Sequence, residues 1–227
     1  MNYYTLQPAI DTSETGSIYP QVQKMSPGYD YKAFNSVHAL SNAYQNLPDY
    51  TPNLNYFIIN SKAKLSDLLS VAVVYGGFLI SDKLKHIFEH FNLPTHKFYD
   101  AKAIYRKQFY NYYWMHIICN LTDVVDYRTS KFFTYYNYAH NLGYIDISSR
   151  SDFEQKKIKI KKDNPGKIIT IWAEKIALNN MFNKSLDLFQ TGEFDSNYYI
   201  SEKLNEAIIE AKITGINVQL TNKLFFC

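Results

Sequence analysis

The sequence predicts an α+β fold: a mixed, largely antiparallel sheet with a few packed helices and two similar strand-helix-strand corners. Three observations lead there. An apolar, strand-like run passes directly into an amphipathic helical pattern between Leu79 and Phe91. The same pattern returns without a gap 120 residues later, where Ile80-Ser81-Asp82-Lys83-Leu84 is matched by Ile200-Ser201-Glu202-Lys203-Leu204. Around both copies lie segments rich in Tyr, Phe and Ile, residue types that suit strands. With 46% hydrophobic and 17% aromatic residues in 227, the chain can form a substantial core and is not expected to be disordered.

Residues 1–55 are rich in Asn, Pro, Ser and Tyr and read as an irregular N-terminal wrap on the core. Within them Tyr3–Leu6 is expected as a short edge strand and Ala33–Ala43 as a short helical piece. A first half spans 56–147. It opens on a strand at Leu54–Ile59, then Ser61–Val71 places Leu65, Leu68 and Leu69 at helical spacing with Asp67 outside. Gly76-Gly77 break the run before Phe78-Leu79-Ile80, the strand that enters the first corner. Leu84, Ile87, Phe88 and Phe91 then fall at i, i+3, i+4 and i+7, one apolar helix face, and Leu204, Ala207, Ile208 and Ala211 repeat it. Ser81 and Ser201 stand at the N-cap, followed by Asp82 and Glu202, where the helix dipole favours an acid. Short turns lead out to strands at Phe98 and Val218. Ala101–Tyr105 and Tyr112–Leu121 follow as strands, the second apolar enough, through Trp114, Ile117 and Ile118, to be buried on both faces. Tyr144–Ile147 is a short alternating strand.

A second half spans 156–227. Lys157-Ile158-Lys159-Ile160-Lys161 alternates, which predicts a half-buried edge strand with a lysine-lined outer face. Asp163-Asn164-Pro165-Gly166 has Pro and Gly in the order of a type II turn, and Lys167–Trp172 would return as the partner strand. Glu174–Leu186 is expected to be helical, and Thr191-Gly192 a turn.

Several motifs invite chemistry. His86-Ile87-Phe88-Glu89-His90 fits H-x-x-E-H, in which two histidines one turn apart hold zinc and the glutamate acts as base. A metal-dependent hydrolase using His86, Glu89 and His90 is therefore an alternative reading. The helical wheel places these residues away from the Leu84/Phe88/Phe91 face, the second copy has Glu206, Ile209 and Glu210 there, and nothing marks a third ligand. Asp123 and Asp126 could serve as an acid–base pair or as metal ligands, against the plainer reading of turn residues accepting backbone N–H bonds. Lys156–Lys162 invites a phosphate or nucleic-acid reading, but the pleat already accounts for the lysine spacing. Phe132–Tyr144 is crowded with aromatics, among them Tyr135, Tyr136 and Tyr138; only Arg128 and Lys131 are near, so packing or a protein interface is favoured over single-strand stacking. The two cysteines, Cys119 and Cys227, form neither a disulfide framework nor a zinc spacing and fit a reducing compartment. No signal peptide is expected from MNYYTLQPAIDTSETG, and Leu68–Ile80 is too short to span a bilayer. A net charge of +3 does not by itself imply a nucleic-acid partner. The expectation is a cytoplasmic protein with no visible active site, no metal and no cofactor.

Four segments, in their order and spacing, carry a resemblance. They are Ala63–Leu69, Leu79–Leu84 with its His96-Lys97-Phe98-Tyr99 exit, Asn120–Asp126 with Ser130, and Ile200–Leu204 with Thr214-Gly215. Over roughly residues 50–220 the chain resembles a bacterial immunity-protein family of polymorphic toxin systems, the one numbered eleven, formerly a domain of unknown function. The resemblance implies a single immunity-type domain over 1–227. It implies a non-enzymatic binder that neutralises a cognate protein toxin in the cell that makes both. Such binding needs an interface of roughly 800 Å² per partner with a few aromatic or Arg anchors. Phe132–Tyr144 is the candidate surface, with Tyr135, Tyr136 and Tyr138 on it and Asp123, Asp126 and Arg128 on its border.

Overall fold

The computed structural model describes residues 2–227. From the N-terminus the chain forms β1 (Tyr3–Pro8), β2 (Val22–Met25), α1 (Val37–Asn42), β3 (Asn55–Ile59), β4 (Leu68–Leu69), β5 (Gly77–Ile80), α2 (Asp82–Phe88), β6 (Thr95–Tyr105) and β7 (Gln108–Ile118). After a 3-10 turn at Thr122–Val124 come β8 (Val125–Tyr136), β9 (His140–Ile145), α3 (Arg150–Asp163), β10 (Ile169–Leu178), β11 (Leu188–Phe189), β12 (Tyr198–Ser201), α4 (Glu202–Glu210), β13 (Ile216–Leu220) and β14 (Leu224–Phe226). Three sheets result, ordered β2-β3-β6-β7-β5-β4, β11-β12-β1-β13 and β14-β10-β8-β9. Pairing is antiparallel except for β3 with β6 and β10 with β14, so the α+β class with a mostly antiparallel sheet holds.

Both expected corners are present. β5 runs into α2 and β12 into α4, and the hydroxyl oxygens of Ser81 and Ser201 accept from the Leu84 and Leu204 amides, each at 3.2 Å. The likeness extends well beyond the helices. Ile80 pairs with Leu68 and Tyr113; 120 residues on, Ile200 pairs with Leu188 and Tyr4. Met115 lies between Phe78 and Phe98, as Leu6 lies between Tyr198 and Val218. Hence β4-β5-β7-β6 and β11-β12-β1-β13 are the same four-stranded unit in the same register. In the first unit the central strand β7 comes last in the chain; in the second the central strand is β1, from the far end of the sequence. Apolar faces of the two units meet in one core, where Leu68, Ile80, Leu84 and Phe88 join Leu188, Ile200, Leu204 and Ile208. Burying each such side chain is worth about 1.5–3 kcal/mol, so this shared core is a main tie between the units.

This arrangement corrects the sequence reading of the N-terminal segment. Tyr3–Leu6 is a strand, but a central one, and β2, β3 and α1 contribute Val22, Met25, Val37, Leu40 and Phe57 to a core cluster. Several stretches within residues 2–55 therefore belong to the sheets and core, joined by loops, rather than forming only an irregular wrap. Ser61–Val71 is not helical: it is an extended segment ending in β4, because Asp67 and Leu68 bond to Thr214 instead of to their own chain.

The larger correction concerns Lys156–Lys162, which lies in α3 and not in an edge strand. Its alternation is real, but the helix start decides. The Ser149 hydroxyl oxygen accepts from the Asp152 amide at 3.1 Å, and the Asp152 carboxylate accepts from the Ser148 amide at 2.8 Å, a reciprocal cap of the capping-box type. Lys156 pairs with Asp152 one turn on. Phe153, Lys157 and Ile160 then share the face over the third sheet, where Phe153, Phe194, Phe132 and Tyr127 pack ring against ring. The turn is as expected: the Lys167 amide bonds to the Asn164 carbonyl, and Gly166 has φ +76°, the value a type II turn needs there. It joins a helix to a strand rather than two strands. Glu174–Leu186 is likewise not helical; β10 runs to Leu178, and turns follow.

Candidate functional site

β8 is twelve residues long, and its far end, with β9, forms a hairpin at the edge of the third sheet. β9 pairs only with β8 among the described residues, so its other edge carries unpaired backbone donors and acceptors. Five of its six residues are exposed. The loop backbone is unusual: Asn137 and Tyr138 both have positive φ, +49° and +57°. Non-glycine residues rarely adopt this region, and Asn tolerates it better than Tyr. Tyr138 is 64% exposed at this tip, and Leu142 and Tyr144 on β9 are also exposed.

Strand periodicity divides the aromatic residues between two faces. Phe133 and Tyr135 point outward together, ring centroids 4.8 Å apart, and the register places Tyr144 and Trp172 beside Phe133. The Tyr144 hydroxyl donates to Glu174, which raises the phenol above its ordinary range. Tyr136 lies on the opposite face, stacked against His140 and opposite Ile169. Thr170 and Trp172 also line an open cleft of about 1030 Å³, bounded across from them by Tyr44 and the end of β7 at Ile117 and Ile118. Tyr138 stands on its rim.

Asp123, Asp126 and Arg128 lie at the other end of β8. Ten residues separate Asp126 from Tyr136, roughly 33 Å of strand. The structure thus places Tyr135, Tyr136 and Tyr138 at one end of β8, with Tyr135 and Tyr136 on opposite faces, and brings Asp123, Asp126 and Arg128 together at the other end. The second group lines a 370 Å³ depression with Arg150, which pairs with Asp123. Asp126 is engaged in turn chemistry: its carboxylate accepts from the Thr129 hydroxyl at 2.8 Å and from the Thr129 and Arg128 amides. These bonds, the hydroxyl's first, hold it below the usual carboxylate range.

The H-x-x-E-H residues lie on the solvent side of α2. His86 has 75% of its side chain exposed, Glu89 is paired with Lys85, and His90 Nδ1 meets the His86 carbonyl at 2.7 Å. Among the described residues no group of three or more His, Cys, Asp or Glu is arranged to hold a metal. Cys119 exchanges bonds with the Gln190 backbone, and burial pushes its thiol up, away from the reactive thiolate. Among the described residues no helix is long and apolar enough to cross a membrane.

Comparison with known families decides the identity. The sequence matches the immunity protein family Imm11 over residues 3–221, nearly its whole length. The chain belongs to the Imm11 immunity protein family. The Imm11 match includes β1, so the N-terminal strand that completes the second unit belongs to the family's own extent, beyond the residue 50 at which the sequence resemblance begins. No curated protein matches the sequence. Sequence reasoning did not find the Trp172 cleft of this Imm11 protein, because its walls come from segments more than a hundred residues apart. The positive-φ tip had one available signal, Asn137 next to exposed aromatics.

Proposed function

We propose that this chain binds a cognate bacterial protein toxin by direct, stoichiometric contact and neutralises it without turning over a substrate. The observation that carries this reading is membership of an immunity protein family across residues 3–221. The β8–β9 hairpin is the surface that fits best. It offers exposed aromatic rings, Tyr138 above all, of the kind that anchor interfaces. It also offers an open strand edge, to which an extended segment of a partner can add by main-chain hydrogen bonds. Tyr135 and Tyr136 lie one strand in from that edge, on the two faces of β8, and the Asp123/Asp126/Arg128 depression provides a polar rim further along β8. The contact requires no metal, cofactor or catalytic side chain, and the place of action is the cytoplasm of the producing cell.

The test is co-expression with the toxin encoded by the neighbouring gene. Growth should be restored, and the two proteins should purify as a complex of fixed stoichiometry. Growth arrest despite good expression, with no complex, would sink the proposal. Stoichiometric zinc in the purified protein, lost in His86→Ala, would instead favour the hydrolase reading.

A further inference from the structure

The turn that joins α3 to β10 places an apolar groove beside the hairpin tip. Ile160 on α3 and Ile168, Ile169 and Ile171 on and before β10 form its floor, in a cavity of about 300 Å³. Ile168 is 52% exposed although it is aliphatic and adjoins a packed sheet. Lys157, Lys161 and Lys167 line the groove with one acid, Glu193, which pairs with Lys157; among the described residues Lys161 and Lys167 make no ion pair.

The charge around it is mainly positive. α3 carries six cations (Arg150, Lys156, Lys157, Lys159, Lys161 and Lys162) against Asp152, Glu154 and Asp163. That surplus of three equals the net charge of the whole chain, +3. The pairs it makes lie toward the helix start: Arg150 with Asp123, Lys156 with Asp152, and Lys157 with Glu154 and Glu193. Among the described residues Lys159, Lys161, Lys162 and Lys167 make no ion pair, and of these Lys161 and Lys167 line the groove.

We infer that this groove receives an acidic segment of the cognate toxin, one that inserts an aliphatic side chain between Ile160 and Ile168 and sets carboxylates against Lys161 and Lys167. The inference rests on the toxin-binding reading and deepens it by stating the chemistry of the partner. Charge complementarity selects an acidic occupant, and the floor selects a peptide over a nucleic acid. A single strand would need rings to stack on, and the one ring among the described residues that line the groove, Phe153, is buried. The surface is also continuous with the hairpin: the Asn137 amide bonds to the Ile168 carbonyl at 2.9 Å, and Thr170 lines both this groove and the Trp172 cleft.

The experiment measures the Kd of the full chain for the toxin domain encoded next door, at low and high NaCl, for the wild type, Lys161→Glu/Lys167→Glu and Ile168→Ser. Thermal melting of each variant checks the fold. The expected result is a loss of about tenfold or more for the double lysine variant, mainly in the association rate, with a flatter salt dependence. Ile168→Ser should weaken binding with little change in salt dependence. Unchanged toxin affinity in the folded variants overturns the inference and leaves the immunity reading intact. Absence of wild-type binding overturns both. A fluorescent dT20 strand is the second probe: wild-type binding that Lys161→Glu/Lys167→Glu abolishes, with toxin affinity untouched, would assign the lysines to nucleic acid and overturn the inference.

Discussion

Asp67 and Asp187 hold equivalent places in the two four-stranded units, and each clasps the other unit's helix exit. The Asp67 carboxylate accepts from the Ser81 hydroxyl at 2.7 Å within its own unit, and from the Thr214 amide and hydroxyl, both at 2.9 Å, after α4. Asp187 accepts from the Ser201 hydroxyl at 2.6 Å and from the Asn92 amide at 2.9 Å, after α2. Each serine in turn caps its helix, so one carboxylate fixes a helix start in its own unit and a turn in the other. Reciprocity makes the pair a lock between units that the shared apolar core alone would leave free to slide.

Breaking either lock is expected to destabilise the whole chain rather than one unit. Asp67→Ala strands the Thr214 amide and loosens the Ser81 cap, for a cost of about 1–3 kcal/mol. Asp187→Ala should cost a similar amount. Asp67→Ala/Ser81→Ala should cost less than the sum of its parts, because both changes remove the same bond. Urea unfolding monitored by tryptophan fluorescence measures all three.

Gly215 makes the Asp67–Thr214 clasp possible. It has φ +78°, and a Cβ there would lie 2.3 Å from the Leu68 carbonyl oxygen. Gly166 has almost the same φ, +76°, with nothing within 4 Å. Ala at 166 is expected to cost only the left-handed penalty, about 1–2 kcal/mol. Ala at 215 adds overpacking against backbone, about 1–3 kcal/mol more. Equal midpoints for the two variants in urea would contradict this account.

Local signals were legible in the sequence wherever one residue controls one element. Ser81 and Ser201 announce helix starts, and the match of Ile80–Leu84 to Ile200–Leu204 announces two similar corners. Partnership over long distances was not legible. Tyr3–Leu6 looks like an edge strand because its neighbours, β12 and β13, lie about two hundred residues away in the chain. Lys157–Lys161 carries two compatible patterns, and the one that wins depends on Ser149 and Asp152 upstream. At the candidate site the tyrosines of Phe132–Tyr144 could be read as a surface. Their separation from Asp123 and Asp126 follows only once β8 is known to run unbroken for twelve residues.

Buried His116 gives the stability a pH dependence. Its Nε2 meets the Ala43 carbonyl at 2.8 Å, its Nδ1 has no partner, and burial pushes its pKa below the ordinary 6.5 more than that bond raises it. The folded state therefore binds this proton less readily than the unfolded state. Its contribution is fully present above about pH 6.5 and is lost as pH falls from there toward the lowered folded value. Urea midpoints at pH 7.5 and pH 5.5 should fall further apart in the wild type than in His116→Gln. The same difference in both would remove His116 as the cause.

Tyr138 separates stability from recognition. Its φ of +57° puts an exposed aromatic residue in a conformation that costs an L-residue about 1–2 kcal/mol. Glycine relieves that cost but adds about 0.5–1 kcal/mol of chain entropy in the unfolded state, so Tyr138→Gly should be neutral or slightly stabilising. If the strained tip exists to present the ring, the same change should weaken toxin binding about tenfold or more, since a tyrosine anchor lost from an interface commonly costs upward of about 1 kcal/mol. Tyr144→Ala is the comparison, because it removes an exposed ring without touching the positive-φ turn. Melting temperature and toxin Kd together decide the matter. A Tyr138→Gly protein that melts higher and binds as tightly as the wild type would show the ring to be dispensable and move the contact elsewhere on the hairpin.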